Sequence, residues 1–322
     1  MTAGWLDDVR GPPDAAGLAR MAAALAPGSR AVGIRRLGGG LDAAMHRFDL
    51  LAPSGERQRL VLRRYPRAIL EENPGVAGRC WRTLSALEQL GVAAPRPVWF
   101  DPDGTVFGTA AFVMTRVPGH SDLRPRDLTA WLRGLGAALA AVHRVRVDGV
   151  DLSFLRGPEE SLERKFALAL EPARCTGPHG AAVQAALTAW RPRLRRMVPV
   201  LCHGDYWAGN TLWLRGRLTA IVDWDDARLG YPGMDVGYCR MDLALQHDVA
   251  AADVFLRAYE TAAGMRVPQL LVWDLLGAAP ARPDPERWLP GFHDLGRTDL
   301  TPALVRDRLE RFTEDALARA GG

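Results

Sequence analysis

Lysine is all but missing from this chain of 322 residues: Lys165 is the one lysine, and the other 40 of the 41 basic residues are arginine. Any cation that the first half offers to a ligand is therefore a planar guanidinium fork and not an ammonium point charge. Long apolar runs are missing as well. Nothing approaches the roughly 18 apolar residues of a spanning helix, so no membrane-crossing helix is expected. The opening "MTAGWLDDVRGPPD" carries two early acids and no apolar core, so it does not read as a signal peptide. Cysteine is sparse. Cys80, Cys175, Cys202 and Cys239 are widely scattered, with no C-x-x-C pair for zinc and no dense framework for secretion. Small buried thiols in a reducing cytoplasm are expected. Concentrated positive charge is also lacking. The net +4 arises in residues 1–116, where 15 arginines face 11 acids; residues 117–322 balance 26 against 26. No basic block interleaved with aromatics appears, so a nucleic-acid partner is not expected.

What is present changes period along the chain. "HRFDLLA" and "RQRLVLRRY" are extended runs joined by the turn cluster "PSGE", and residues 32–65 read as strands. Residues 76–90 carry Trp81, Leu84, Leu87 and Leu90 near helical spacing, with Gly91 as a stop. "RPVWF" and "TAAFVMTRV" flank "DPDG" as a further hairpin. Beyond "VPGHSDLRPRD" the pattern turns helical. A long helix is expected over 127–143 with Asp127 as N-cap, followed by helices near 159–170 and 180–196. The join lies near 114–120, giving a strand-rich part, 1–116, and a larger helical part, 117–322.

One segment interrupts the helices. "VPVLC" reads as a short strand, "HGDYWAGN" as a loop, and "TLWLRGRLTAIVDW" as two strands around a tight "RG" turn. A hairpin fixes both of its ends, so it can return Asp223 to the side of Asn210, five residues beyond Asp205. Three oxygen-bearing groups then converge. Hard oxygen donors suit Mg²⁺. Phosphoryl transfer needs such a set: one carboxylate to take the hydroxyl proton, and a carboxamide and a second carboxylate to hold metal. Taken singly, Asp205 fits a turn former and Asn210 an Asx-turn. Asp225 and Asp226 fit caps or solvent-facing acids, and His143 a cation at a helix C-terminus. His46, His120 and His179 suggest surface or loop roles.

The spacing D-x-x-x-x-N followed by a metal-binding Asp is that of the protein kinase catalytic loop, with Gly204 for its Arg and Trp224 for the Phe of D-F-G. "LCHGDYWAGNTLW" with "IVDWDDARLGYPGMDVGYCRMDL" resembles the aminoglycoside phosphotransferase family, which takes in choline-kinase-like and macrolide phosphotransferases. "GGGLDAAMHRFDL", "LVLRRY" and "FVMTRVPGH" extend the resemblance over roughly residues 30–265. It implies an α+β, protein-kinase-like two-lobed fold, with a small β-rich N-terminal nucleotide-binding lobe and a larger, mainly helical C-terminal catalytic lobe. By resemblance Asp205 is the catalytic base, Asn210 and Asp223 are the Mg²⁺ ligands, His203 shapes the loop, and Asp235 anchors it to a helix.

The resemblance also places ATP or GTP in the N-terminal lobe. Gly39 and Gly40 of "LGGGLDAAMHRF" let backbone N–H groups approach phosphates. Arg63 stands where kinases carry a phosphate-binding strand lysine; Lys165 lies too far along the chain for that role. Strand alternation sends Arg64 to the other face, toward solvent. The adenine is expected against the segment Met114 to Val117. One position departs from the pattern. Where a helix glutamate would pair with the strand cation, the chain offers Cys80, and Glu71 or Glu72 lies upstream as a substitute from a loop.

These readings imply an ATP- or GTP-dependent O-phosphotransferase acting on a small hydroxylated substrate. An aminoglycoside or other antibiotic is one acceptor the family suggests and an endogenous metabolite is another. A nucleotide-binding pseudokinase without catalysis is the third reading, favoured by Cys80 and opposed by the intact Asp205, Asn210 and Asp223. Trp288, Phe292 and Asp294 could line an acceptor pocket or simply cap a core. The acidic tilt of residues 198–322, 18 acids to 13 basic residues, says little about which.

Overall fold

Whether a strand alternates or is apolar throughout depends on what covers its two faces, and the third strand of this protein is covered on both. The computed structural model describes residues 7–38 and 43–319, and the chain divides into two compact units, Met1–Val117 and Pro118–Gly322. The first unit runs α1 (Asp7–Arg10), α2 (Ala15–Leu25), β1 (Arg30–Leu37), β2 (Ala44–Leu51), β3 (Arg57–Arg64), α3 (Arg67–Glu72), α4 (Val76–Gln89), β4 (Pro97–Asp101) and β5 (Ala111–Thr115). Its strands form one antiparallel sheet in the order β1-β2-β3-β5-β4.

Strand β2 alternates cleanly, burying Ala44, His46, Phe48 and Leu50. Phe48 and Leu50 join Leu60, Leu62, Ala111 and Val113 in a layer closed by Met21 and Ala22 of α2. Helix α2 begins at Asp14, whose carboxylate caps the Gly17 N–H at 2.6 Å. The opposite face carries Phe112, against which Tyr65 and Trp81 of α4 pack, and Trp81 stacks on Phe100 at 5.2 Å.

This double cover corrects two expectations. Arg64 does not reach solvent: it is buried, and its Nη2 donates to the Val9 and Gly11 carbonyls at 2.8 and 2.5 Å. The N-terminal segment, which carries no strand signal of its own, occupies the side that alternation had left open. His46 is likewise buried and not a surface group. Burial, with the charges of Arg64 and Arg36, pulls its pKa down to about 4. Glu71 and Glu72 close the short helix α3 and are exposed, so they do not sit on a loop.

The second unit holds α5 (Leu128–His143), α6 (Pro158–Ala169), α7 (Gly180–Trp190), β6 (Val200–Cys202), β7 (Thr211–Leu214), β8 (Arg217–Ile221), β9 (Arg228–Gly230), α8 (Gly233–Gln246), α9 (Val249–Ala263), α10 (Leu270–Ala278), α11 (Leu289–Asp294) and α12 (Pro302–Ala318). Asp127 caps α5 through the Ala130 N–H at 2.9 Å. Helix α7 stops at Trp190, short of residue 196, because Pro192 turns the chain into a single 3₁₀ turn. Helix α8 is the centre: every residue from Gly233 to Gln246 is buried except Tyr238, which is partly exposed. Within it Arg240 is fully buried, its guanidinium bound to both oxygens of Asp274 at 2.9 and 3.2 Å and to Asp253 at 2.9 Å. Arg319, just past α12, adds a contact to Asp274 at 2.7 Å. Among the described residues no helix is long and apolar enough to cross a membrane. The four cysteines are thiols outside any disulfide, buried at 80, 202 and 239.

Helices α8 and α10 meet backbone to backbone. A Cβ on Gly277 would collide with the Gly237 carbonyl group, and one on Gly237 with the Trp273 carbonyl group. Gly277→Ala must push the two helices apart. Overpacking of this kind costs about 1–3 kcal/mol or more, read as a lower urea midpoint with an unchanged slope. An unchanged midpoint would show that the contact yields freely.

Candidate functional site

The loop after β6 is short and polar, yet it is held from below at several points. Asp235 lies in the first turn of α8, fully buried. Its Oδ2 accepts the His203 N–H at 2.7 Å and its Oδ1 the Gly204 N–H at 2.9 Å. The His143 ring adds a contact to Oδ2 at 3.2 Å while its other nitrogen meets the Tyr259 hydroxyl at 2.8 Å. Burial alone would raise the pKa of Asp235. The hydrogen bond and charge of His143, with the Gly204 N–H, outweigh it and bring the pKa down to about 2. His143 thus ends α5 as expected, and its buried ring is taken up by Asp235 and Tyr259. His143, Cys202 and Asp235 offer ligand atoms within 4.8 Å of one another. Asp235 already serves three donors, so this cluster is a hydrogen-bonded core and not an open metal set.

The loop turns at Gly204, where φ is +87° and a Cβ would strike the Asp226 carbonyl, so no other residue fits. His203 spans two segments. Its Nδ1 accepts the Asp205 N–H at 3.2 Å and its Nε2 donates to the Val222 carbonyl at 2.9 Å. These partners require the neutral ring with its proton on Nε2. The imidazole therefore gauges the distance between the loop bearing Asp205 and the strand end bearing Asp223. Trp224 packs on it at 4.5 Å between ring centres.

Asp205 is half-buried. Asn210 Nδ2 donates to its carbonyl at 2.9 Å and to its carboxylate at 3.0 Å, and the Tyr238 hydroxyl makes a further hydrogen bond to it. Desolvation raises the Asp205 pKa against these donors, which makes the carboxylate a stronger base than one in water. Strands β7 and β8 form the expected hairpin around Arg215-Gly216, both at positive φ. Thr211 faces Ile221, and the Val222 N–H donates to the Asn210 carbonyl at 2.8 Å, so the chain delivers Asp223 beside Asn210. Asp223 is exposed and left-handed, with φ 64°. Such strain in a non-glycine residue persists where its surroundings impose it. Asp226 is exposed and bridges Arg156 and Arg228 at 3.5 and 3.4 Å. Asn210 Nδ2 is committed to Asp205, which leaves its Oδ1, together with the Asp223 carboxylate, as hard oxygen donors of the kind Mg²⁺ takes.

Two supporting residues escaped the sequence reading. Asp242 lies seven residues beyond Asp235, two turns along the same face of α8, and accepts the Ala208 N–H. Burial pushes its pKa up to about 8, with the Asp205 charge adding to the effect. The spacing of two acids in a largely apolar helix was a usable signal. Tyr238, three residues past Asp235, carried none.

In the first unit Arg63 is buried, and its guanidinium lies 5.1 Å from the Tyr65 ring centre. Arg63 pairs with Phe112 and Val61 with Met114, so Arg63 and Met114 share one face of the sheet on adjacent strands. Val117 follows β5, half-buried. Cys80, at the position of the missing glutamate, is buried in α4. Gly39 and Gly40 lie outside the described residues.

The model of the phosphotransferase enzyme family (APH) matches residues 33–271. The chain belongs to the phosphotransferase enzyme family. Its mixed α+β, kinase-like fold is shared by solved structures of other proteins. One is a protein of Ralstonia eutropha JMP134 assigned provisionally to the aminoglycoside phosphotransferases (20% identity, 95% of this chain and 98% of that one, TM-score 0.64). Others are the macrolide 2′-phosphotransferase MphH of Brachybacterium faecium (20%, 89% and 97%, TM-score 0.58) and the choline kinase LicA of Streptococcus pneumoniae (15%, 93% and 97%, TM-score 0.55). Curated relatives include acyl-CoA dehydrogenase family member 10 of Mus musculus, 24% identical over 192 residues, and member 11 of Homo sapiens, 22% identical over 196. Each match takes in 56% of this chain but only 18% and 25% of those longer proteins.

The two acids of α8 predict opposite pH behaviour. Asp242 keeps its proton in the folded protein up to about pH 8, whereas the unfolded chain releases it near the ordinary 3.8. Stability therefore falls as pH rises through that window. Asp242→Asn should remove the fall, its advantage over wild type growing from about pH 4 and levelling off above about 8. Asp235 works the other way. Its contribution is present above about 3.8 and lost as pH falls toward 2, and Asp235→Asn should cost roughly 3–5 kcal/mol at neutral pH. Urea melts across pH give both; parallel curves for wild type and Asp242→Asn would refute the assignment.

Proposed function

We propose that this protein is a small-molecule kinase that moves the γ-phosphoryl group of ATP or GTP to a hydroxyl of its acceptor. The observation that carries the reading is the pairing of Asp205 with Asn210 on a loop beside the hairpin end at Asp223, with the Asp205 pKa raised by desolvation. Asp205 accepts the acceptor's hydroxyl proton as that oxygen bonds to the γ-phosphorus, and the bond from phosphorus to the bridging oxygen breaks to release the nucleoside diphosphate. Asn210 and Tyr238 aim the carboxylate. Asn210 Oδ1 and Asp223 would hold Mg²⁺, which when bound offsets charge on the phosphate oxygens. His203 and Asp235 keep the two segments in register.

For the nucleotide we assign Arg63 and residues Gly39 and Gly40 to the phosphates, and the backbone from Met114 to Val117 to the base. Solved relatives are complexes that contain AMP-PNP or ADP with hygromycin B, which supports a nucleotide and a hydroxylated small molecule as the two substrates here.

Asp205→Asn tests the base. Turnover, read as ADP release, should fall by about 10²–10⁴ while nucleotide affinity holds. Because desolvation disfavours the Asp205 charge, the same variant should melt no lower than wild type. A variant that stays within threefold (~0.7 kcal/mol) of wild-type turnover would remove Asp205 from the chemistry.

Arg63→Ala tests the phosphate contact. A charge-assisted bond of about 1.5–3 kcal/mol corresponds to roughly 10- to 150-fold in triphosphate affinity. Adenosine affinity should change little, and Arg63→Lys should recover part of the loss because charge returns without the fork. Calorimetry with a non-hydrolysable triphosphate and with adenosine separates the cases. Equal losses for both ligands would mean that Arg63 supports the sheet only, and would favour a nucleotide-binding role without catalysis.

A further inference from the structure

Lys165 has no part in the scheme above, yet it stands next to it. Helix α6 carries its ammonium over the ring of Tyr238, 5.9 Å from the centroid, and the hydroxyl of that same ring is hydrogen-bonded to Asp205. One tyrosine separates the chain's single lysine from its proposed base. Both side chains are partly exposed, as is Asp205.

The acids near Lys165 are committed elsewhere. Asp235 accepts from His203, Gly204 and His143. Asp226 is shared by Arg156 and Arg228. Among the described residues Lys165 Nζ makes no hydrogen bond and no ion pair, and its company over Tyr238 is a cation–π contact. Arg156 is in a similar position. Its Nε is buried without a hydrogen-bond partner, and Asp226 meets it only at 3.5 Å. Burial lowers the pKa of both groups, with Arg228 adding to the effect, and Lys165 comes down to about 8. Three cations, Arg156, Lys165 and Arg228, thus lie around the exposed Asp226 beside the catalytic loop, with Asp235 already taken by its own donors. Desolvated positive charge of this kind is stabilised by an anion that completes it.

We propose that Lys165 and Arg156 form an anion-binding subsite for the acceptor, so that the molecule phosphorylated here is a hydroxylated compound bearing a carboxylate or a phosphate. The proposal rests on the reading of Asp205 as the base. The subsite holds the acceptor by its anionic end, Tyr238 forms the floor between, and the hydroxyl reaches Asp205. An aminosugar would bring its ammonium groups against like charge at this point.

The single lysine makes the test direct. Full-length protein grown on lysine labelled at Cε and Nζ gives one side-chain resonance. It is titrated with four compounds on one six-carbon frame: gluconate, glucose 6-phosphate, glucose and glucosamine. Saturable movement with gluconate or glucose 6-phosphate, and none with glucose or glucosamine, is expected. The arm that responds tells carboxylate from phosphate, and Arg156→Gln should weaken that binding roughly tenfold or more. ADP release is then measured with the same four compounds. The anionic acceptor should turn over, Lys165→Gln should raise its KM roughly tenfold or more with little change in kcat, and Lys165→Arg should recover part of the loss. A resonance that neither anion moves overturns the subsite and leaves Asp205 untouched. Turnover of glucosamine or glucose but of neither anion overturns it too, while upholding phosphoryl transfer. Anion binding that Arg156→Gln weakens, with no ADP released from any compound, keeps the subsite and points the failure at the phosphotransferase reading.

Discussion

A buried carboxylate that must stay charged is the constraint on which the second unit turns. Asp235 lies at the positive end of the α8 dipole and takes two consecutive backbone N–H groups from the loop that carries Asp205. Loops lack the ladder of hydrogen bonds that fixes strands and helices, so a loop that holds a reacting group to within a fraction of an ångström needs outside anchors. Asp235 supplies them at the loop's start and Asp242 at Ala208 near its end. Because the two acids sit two turns apart on one helix, any tilt of α8 moves both ends of the loop together. One anchor is held ionised and the other protonated, a difference that follows from the donors and charges each meets and not from residue type.

The reacting segment was legible because its chemistry and its geometry are both local. "HGDYWAGN" and the hairpin after it lie within about 20 residues, and turn chemistry alone fixes where Asp223 returns. Caps at Asp127 and the limits of α4 and α5 were equally readable, since propensity and period decide them over short spans. What escaped was set by partners distant in sequence. Arg64 is buried because a segment 53 to 55 residues earlier offers it two carbonyls. His143 is tied to Asp235 across 92 residues and to Tyr259 across 116. Tyr238 is a plain aromatic until the fold sets its hydroxyl against Asp205. Alternation in β3 failed for the same reason: a strand's period reports burial on one face only when the other is wet.

Strand β3 shows how adjacent residues of one type acquire unrelated duties. Arg63 and Arg64 are neighbours, both buried, on opposite faces of the same sheet. One lies over Tyr65 and the other clamps the N-terminal backbone. Arginine suits both positions because it can stack through its plane and donate at its rim.

The Arg240, Asp274 and Arg319 group has a consequence for how the chain comes into being. Arg240 is buried with two acids, Asp274 and Asp253, and the second arginine on Asp274 arrives only with residue 319. A ribosome delivers α8 and α10 well before that point. Until then Arg240 alone faces both Asp274 and Asp253, and the hydrophobic side chains Val305, Leu309 and Phe312 of α12 are still unmade. Domains generally fold as units during synthesis, but this one closes last at its far end. The first unit can fold while the second is still being made, whereas the second cannot close its core until α12 has been added.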